Sequence, residues 1–146
     1  MSTMTSAPER TLVLVKPDGV RRGLVGEVLR RVEAKGYVLV ALEMRTADRD
    51  LLGAHYTEHA GKPFFEPLVD FMASGPVVAA VVEGHRVIEG FRSLAGATDP
   101  TTAAPGTLRG DLGRDWGERV VQNLVHGSDS PESASREIGL WFPGLS

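Results

Sequence analysis

The sequence predicts an α+β fold of the ferredoxin-like class, a βαββαβ sandwich with an antiparallel four-stranded sheet and added helices. Two observations support this prediction. Four short, apolar segments have the composition of strands. Apolar residues at helical spacing separate the first from the second and the third from the fourth. Residues 1–10 are expected to be a flexible N-terminal lead-in, and residues 11–146 a single domain.

The first two strands flank one helix. Residues 11–15 are apolar at odd and even positions alike, which predicts a strand covered on both faces. The Lys-Pro-Asp-Gly sequence at 16–19 predicts a turn that leaves Lys16 at the end of this strand. Helical spacing follows over 22–32, and residues 37–44 form the second strand.

Inserted helices lead to the third strand. Cap residues within 46–50 predict a helix that extends to His59, and residues 64–73 indicate another helical piece. Residues 77–83 are almost uniformly apolar, which predicts a central strand.

The C-terminal part completes the pattern. Residues 86–95 show helical spacing, and residues 96–117 form a connection of a length that is more often functional than idle. Residues 120–126 predict the last strand. Ser130 as N-cap and Pro131 at the first helical position predict a final helix that ends near Trp141.

Composition excludes several classes of function. The chain has 146 residues, enough to bury a core, and no cysteine, which excludes disulfides, thiolate zinc sites and cysteine nucleophiles. Its formal net charge of −3 argues against a broad nucleic-acid surface. No apolar run approaches the ~18 residues of a membrane span, and the first ten residues lack the apolar stretch of a secretory signal. We therefore expect a cytoplasmic location.

The segment around His126 carries the strongest chemical signal. His126 lies at the end of the last predicted strand, where its side chain could face a cleft. Glu137 lies eleven positions further on, about two turns into the final helix, and could contact the imidazole, with Ser128 bridging the two. A histidine held by a hydroxyl and a carboxylate is suited to act as a base or nucleophile. Taken alone, a partly buried histidine with satisfied hydrogen bonds remains the alternative.

Anion-binding residues are dispersed along the chain. Neither a GxxxxGK[ST] nor a GxGxxG sequence occurs, so the two usual phosphate cradles are excluded. Lys16, Arg92, Thr98 and Arg109 can each bind anionic oxygen. Their spacing alone does not bring them together.

A competing motif occurs at residues 55–59. His55-Tyr56-Thr57-Glu58-His59 matches the H-x-x-E-H pattern of the inverzincin zinc proteases. A third ligand is not evident and the domain is small for a protease. A polar helix face is the better interpretation.

Ordered motifs resemble the nucleoside diphosphate kinase family from Arg10 to Pro143. The most specific of them is N-x-x-H-G-S-D at 123–129. The other matching segments are residues 11–19, 55–56, 62–65, 75–78, 96–100 and 105–111.

This resemblance implies a ping-pong transfer of the γ-phosphoryl group from a nucleoside triphosphate, with ATP as the expected donor, to a nucleoside diphosphate. A phosphohistidine at His126 would be the intermediate, and Glu137 and Ser128 would orient the imidazole. Mg²⁺ would be carried by the nucleotide phosphates, with no protein ligand. The implied nucleotide-binding residues share contacts to base, ribose or phosphates: Lys16, Tyr56, Phe64, Leu68, Arg92, Thr98, Arg109, Val120, Asn123 and Gly127.

The resemblance also implies a homo-oligomer, and we favour a hexamer over a tetramer. Residues 113–117 look like a surplus relative to the family pattern, which could form a surface bulge or displace Val120. A catalytically silent, nucleotide-binding or regulatory relative is the alternative function, although the catalytic set is intact. A nucleic-acid-binding module is disfavoured because residues 77–82 contain no aromatic residue. No membrane or nucleic-acid partner is expected.

Overall fold

The computed structural model describes residues 8–145 and contains one antiparallel sheet of four strands in the order β2-β3-β1-β4. This order is that of the ferredoxin-like fold, so the predicted fold class is confirmed. The strands are β1 (Glu9–Val15), β2 (Val38–Arg45), β3 (Val77–Gly84) and β4 (Val125–Gly127). The helices are α1 (Pro17–Arg21), α2 (Val25–Ala34), α3 (Arg49–His55), α4 (Phe65–Met72), α5 (Val87–Ala95), α6 (Leu108–Leu112) and α7 (Pro131–Trp141).

Two hydrophobic cores lie on opposite faces of the sheet. Val13 and Val15 of β1 pack with α2 and α5, whereas Leu12 and Leu14 pack with α3, α4 and α7. Successive side chains of a strand point to opposite faces, so a strand that is apolar at every position serves both cores. The predicted two-sided burial of the first strand is therefore confirmed.

The first strand and helix differ from the prediction at their ends. Glu9 and Arg10 belong to β1, so the strand begins within the predicted lead-in, whose residues 1–7 lie outside the described part of the chain. The predicted turn at 16–19 instead enters the short helix α1, because Pro17 at its first position needs no backbone hydrogen bond.

The last strand is shorter than predicted. It covers Val125–Gly127 only, and residues 120–124 lie outside the sheet. Leu124 has a φ of 72°, a left-handed conformation that cannot continue a strand. The long connection at 96–117 also contains α6, which Thr107 caps by accepting a hydrogen bond from Gly110 N.

The final helix follows its sequence signals. Ser130 Oγ accepts a hydrogen bond from Ser133 N at 3.1 Å, Pro131 occupies the first turn, and the helix ends at Trp141. This helix places Glu137 two turns from its N-terminus, over the face of the sheet that contains Leu12 and Leu14. Among the helices of residues 8–145, none combines the length and apolar character needed to cross a membrane.

Candidate active site

A cleft of about 640 Å³ lies where β4 and the helices α3, α5, α6 and α7 meet, next to Lys16 at the end of β1. Each contributing element presents at least one polar side chain to it. The cleft brings together most of the predicted site residues: Lys16, Tyr56, Arg92, Thr98, Arg109, Asn123, His126, Gly127 and Glu137. Ser128 is buried, and Phe64, Leu68 and Val120 line a separate groove of about 360 Å³.

His126 is bound directly by a carboxylate. Its Nε2 lies 2.7 Å from Glu137 Oε1, and the same oxygen accepts a hydrogen bond of 2.8 Å from Ser128 Oγ. The predicted contact between His126 and Glu137 is thus present. Ser128 does not bridge the two residues as expected, because its hydroxyl orients the carboxylate and accepts a hydrogen bond from Leu12 N instead.

This arrangement selects one tautomer of His126. A carboxylate accepts hydrogen bonds, so the proton of a neutral imidazole resides on Nε2 and the lone pair on Nδ1. No atom of residues 8–145 hydrogen-bonds to that Nδ1. Burial would raise the pKa of Glu137, but the hydrogen bonds from His126 and Ser128, together with the charge that His126 carries when protonated, outweigh burial, so that this pKa lies below its ordinary value.

His55 is a cleft residue to which the sequence analysis assigned no catalytic role. Its ring centroid is 4.7 Å from that of His126, and its Nδ1 accepts a hydrogen bond of 3.0 Å from Trp141 Nε1. Burial, followed by the charge of His126, lowers the pKa of His55 to about 3. His55 is therefore neutral, with Nε2 carrying its proton.

The zinc-protease interpretation of residues 55–59 is wrong, and so is the polar-face alternative for His55. Helix α3 ends at His55, and His59 follows in a 3₁₀ turn, so the two histidines do not share a helix face. His55 is buried. A metal-type donor set does exist within the described residues, in His55, His126 and Glu137. Two of its atoms already have hydrogen-bond partners: His55 Nδ1 accepts from Trp141, and Glu137 Oε1 accepts from both His126 and Ser128.

Lys16 and Asn123 form a hydrogen-bonded pair in the cleft that contains His126. Lys16 Nζ donates to Asn123 Oδ1 at 2.9 Å, and Asn123 Nδ2 donates to the Thr98 carbonyl at 3.1 Å. Burial and then the charge of Arg109 lower the pKa of Lys16 to about 8, while the charge of Asp18 opposes them.

Arg109 links the beginning of the long segment at 96–117 to β4 through hydrogen bonds. Its guanidinium donates to the carbonyl oxygens of Gly96, Asn123 and Val125 at 2.7 to 3.0 Å. Burial and the nearby charge of Arg92 lower the pKa of Arg109 to about 10. Among residues 8–145, three of the five N–H groups of this arginine are engaged, and two remain for a ligand.

Two of the predicted site residues are set by their buried surroundings. The hydroxyl of Tyr56 is buried and has no hydrogen-bond partner among residues 8–145, and burial raises its pKa. Gly127 packs against Phe91: a Cβ atom there would lie 2.5 Å from Phe91 Cδ2. The need for glycine at 127 therefore comes from the ring of Phe91.

The second groove is apolar and contains an exposed aromatic ring. Phe64 is 49% exposed, and Leu68 and Val120 line the same groove. The Phe64 ring lies 5.1 Å from that of His59, which lines the main cleft, so the two spaces adjoin.

Residues 113–117 form a surface feature. Trp116 is about half exposed, and the guanidinium of Arg114 lies 4.3 Å from its ring centroid. Val120 still reaches the groove of Phe64, so the surplus residues do not remove it from the predicted site.

Comparisons with known proteins agree with the geometry. The family model described as Nucleoside diphosphate kinase matches residues 9–145. A nucleoside diphosphate kinase of Frankia alni is 66% identical over 138 residues, which cover 94% of this chain and 98% of that protein. One of Streptomyces coelicolor is 62% identical over 137 residues, which cover 93% of this chain and 97% of that protein.

Solved structures give the same result. The nucleoside diphosphate kinase of Halobacterium salinarum, in complex with CDP, has a TM-score of 0.86 at 50% identity and covers 92% of this chain and 87% of that one. The Aquifex aeolicus enzyme has a TM-score of 0.87 at 44% identity and covers 95% of this chain and 98% of that one. Fold, cleft and near full-length similarity coincide, and the chain belongs to the nucleoside diphosphate kinase family.

Proposed function

We propose that the chain works as a nucleoside diphosphate kinase by a ping-pong mechanism with a phosphohistidine at His126. The observation that carries this proposal is the bond between His126 Nε2 and Glu137, since it leaves the lone pair of Nδ1 unengaged. Lys16, Arg92 and Arg109 line the same cleft and can neutralise the charge of a polyphosphate. Phosphoryl transfer depends mainly on such positioning and charge stabilisation.

The two half-reactions use the same nitrogen. In the first, the Nδ1 lone pair of His126 attacks the γ-phosphorus, and the bond to the β–γ bridging oxygen breaks, so that the diphosphate leaves. In the second, a terminal oxygen of another diphosphate attacks the phosphohistidine and the N–P bond breaks. The Nε2 proton stays with His126 throughout. Glu137 stabilises the positive charge that develops on the ring.

The two spaces suggest how a nucleotide lies. The base would stack on Phe64 in the apolar groove with Leu68 and Val120, the ribose would contact Lys16 and Asn123, and the phosphates would extend into the main cleft. Their partners there would be Tyr56, Arg92, Thr98, Arg109 and the surroundings of Gly127. Because every base has a π-face, stacking would tolerate different bases. The Halobacterium salinarum relative was solved in complex with CDP, a nucleoside diphosphate.

Mg²⁺ would accompany the nucleotide. Lys16, Arg92 and Arg109 can bind phosphate oxygens but cannot ligate a cation, and Glu137 Oε1 accepts hydrogen bonds from His126 and Ser128. Glu58 and Asp129 also line the cleft. The resemblance to the family implies that the phosphates, rather than these carboxylates, would hold the ion. Mg²⁺ so bound would supply charge neutralisation on the transferring group.

A single-turnover experiment tests the intermediate. The protein is mixed with Mg²⁺ and γ-labelled ATP in the absence of an acceptor, and protein-bound label is tested for acid lability and alkali stability. We expect label on the wild type and on His85→Gln, a control at an exposed histidine, and none on His126→Gln. Addition of GDP should then move the label to GTP.

The opposite outcome favours the silent relative. A wild-type protein that binds ATP without acquiring label, or whose label survives in His126→Gln, contradicts the proposal.

We also propose a homo-oligomer. The edge strand β2 exposes Val38, Leu42 and Met44, and an apolar edge of this kind is usually paired or covered. A hexamer and a cytoplasmic location stay predictions.

A further inference from the structure

Asp18 is a buried carboxylate close to the cleft but absent from its lining. Only 3% of it is exposed. Its Oδ2 accepts a hydrogen bond of 3.0 Å from Leu124 N. Its Oδ1 is buried with no hydrogen-bond partner among residues 8–145. Burial of an ionised oxygen without a hydrogen bond is unfavourable unless nearby charges compensate for it. A carboxylate at this position therefore requires an explanation.

The bonded oxygen holds an unusual backbone conformation. Leu124 has a φ of 72°, a backbone conformation that residues other than glycine rarely adopt. The Asp18 carboxylate accepts a hydrogen bond from the N–H of Leu124, and the carbonyl of Leu124 accepts one of 2.8 Å from Lys16 N. The segment at 16–18 therefore fixes both backbone polar groups of Leu124. Asn123 lies on one side of this residue, and β4, which carries His126, begins on the other.

The Asp18 carboxylate also acts on two cations through its charge. Asp18 favours the protonated forms of Lys16 and Arg109, although it hydrogen-bonds to neither. Around Lys16, Arg109 on α6 opposes its charge, and so does burial, while His55 on α3 is neutral. Asp18 is thus the acidic group that counteracts these effects at Lys16.

We propose that Asp18 is a positioning residue of the phosphotransfer site, which fixes the left-handed turn at Leu124 and holds a negative charge near Lys16, whose backbone N–H binds the same leucine. The turn sets the direction in which the chain enters β4, and hence the place of Asn123 and His126. The charge makes Lys16 available to a phosphate oxygen at neutral pH. This inference deepens the proposed function and rests on it.

Trace acetylation tests the electrostatic part without any nucleotide. The rate of acetylation of Lys16 is measured against pH by mass spectrometry, with Lys35 and Lys62 as internal references. In Asp18→Asn, whose amide oxygen can still accept from Leu124 N, the midpoint for Lys16 should move to lower pH by on the order of one unit. Asp48→Asn, which likewise removes the charge of a carboxylate bound to a backbone N–H, should leave it unchanged. An unchanged midpoint in Asp18→Asn overturns the electrostatic role.

Kinetics test the positioning part. The alkaline limb of the kcat/KM profile should move to lower pH in Asp18→Asn together with the acetylation midpoint. Asp18→Ala also removes the acceptor for Leu124 N, so its kcat/KM at neutral pH should fall on the order of tenfold below that of Asp18→Asn. Equal values in these two variants contradict the role in the turn.

Asp18→Glu tests the proposal if Asp18→Asn and Asp18→Ala, which remove the charge, fail to fold. It keeps the charge but displaces the oxygens, so the Lys16 midpoint should stay while kcat/KM falls. An unchanged kcat/KM in a folded Asp18→Glu protein contradicts the proposal. Because acetylation needs no phosphohistidine, the labelling of His126 can fail independently of it.

Discussion

At the scale of single residues, one carboxylate oxygen of Glu137 orients His126, the proposed catalytic histidine. This oxygen accepts hydrogen bonds from His126 and from Ser128, and the hydroxyl of Ser128 in turn accepts a hydrogen bond from Leu12 N. The carboxylate therefore cannot rotate without breaking several bonds. The spacing of eleven residues predicted the contact between His126 and Glu137. No local pattern predicted the bond between Trp141 and His55, because 86 residues separate these partners and only the fold brings them together.

His55 makes the stability of the protein depend on pH. In the unfolded chain it takes up a proton below pH ~6.5, whereas in the folded protein its pKa is about 3. The unfolded state binds more protons between these values, so stability is lost as pH falls from ~6.5 towards 3, by at most ~1.4 kcal/mol per pH unit from this group.

Urea unfolding at fixed protein concentration, from pH 4 to 8, checks this prediction. His55→Asn removes the titrating ring and keeps an acceptor for Trp141 Nε1. Its free energy of unfolding should fall less steeply below pH ~6.5 than that of the wild type or of His85→Asn. Parallel curves for all three proteins would refute it.

At the scale of secondary-structure elements, β4 is limited by its contacts on both sides. Leu124 ends the extended backbone before the strand, and Gly127 packs against Phe91 of α5 at its other end. Both constraints are tertiary. The sequence analysis consequently overextended this strand to 120–126, although it placed the capped helix α7 correctly from Ser130 and Pro131.

Gly127→Ala tests the contact between β4 and α5. The new methyl group would overlap the ring of Phe91, which is fully buried, so we expect a loss of about 1–3 kcal/mol in the free energy of unfolding. Phe91→Val should lessen the loss caused by Gly127→Ala, a coupling that a double-mutant cycle measures.

Gly139→Ala is the matched control. Gly139 lies in α7, and a Cβ atom there meets nothing within 4 Å, so we expect a gain of up to ~1 kcal/mol. Equal effects at 127 and 139 would contradict the steric explanation.

At the scale of the whole molecule, the sheet has one long exposed edge. Leu42 and Met44 of β2 are 52% and 59% exposed, which is unusual for apolar side chains on a regular strand. Fold class could be predicted because each apolar pattern is local. Assembly could not, because exposure depends on which strand lies at the edge, and the strand order appears only in the structure.

Leu42→Lys should weaken the proposed oligomer. A charge placed in an apolar contact between subunits must be buried without a partner, which is unfavourable. Sedimentation velocity should show smaller species for Leu42→Lys and unchanged species for Ser135→Lys, which adds the same charge at an exposed position of α7. Identical sedimentation of the wild type, Leu42→Lys and Ser135→Lys would exclude β2 as the contact between subunits.

Ser128 joins the two ends of the chain, and this has a consequence for folding. Its hydroxyl and its N–H bond to Leu12 and Thr11, across separations of 116 and 117 residues. Such distant pairings form late, since the entropy of closing a large loop must be met first. During synthesis, Lys16 and Arg92 leave the ribosome well before Glu137. We therefore expect the nascent chain to acquire its phosphoryl acceptor only after α7 has emerged and docked on β1.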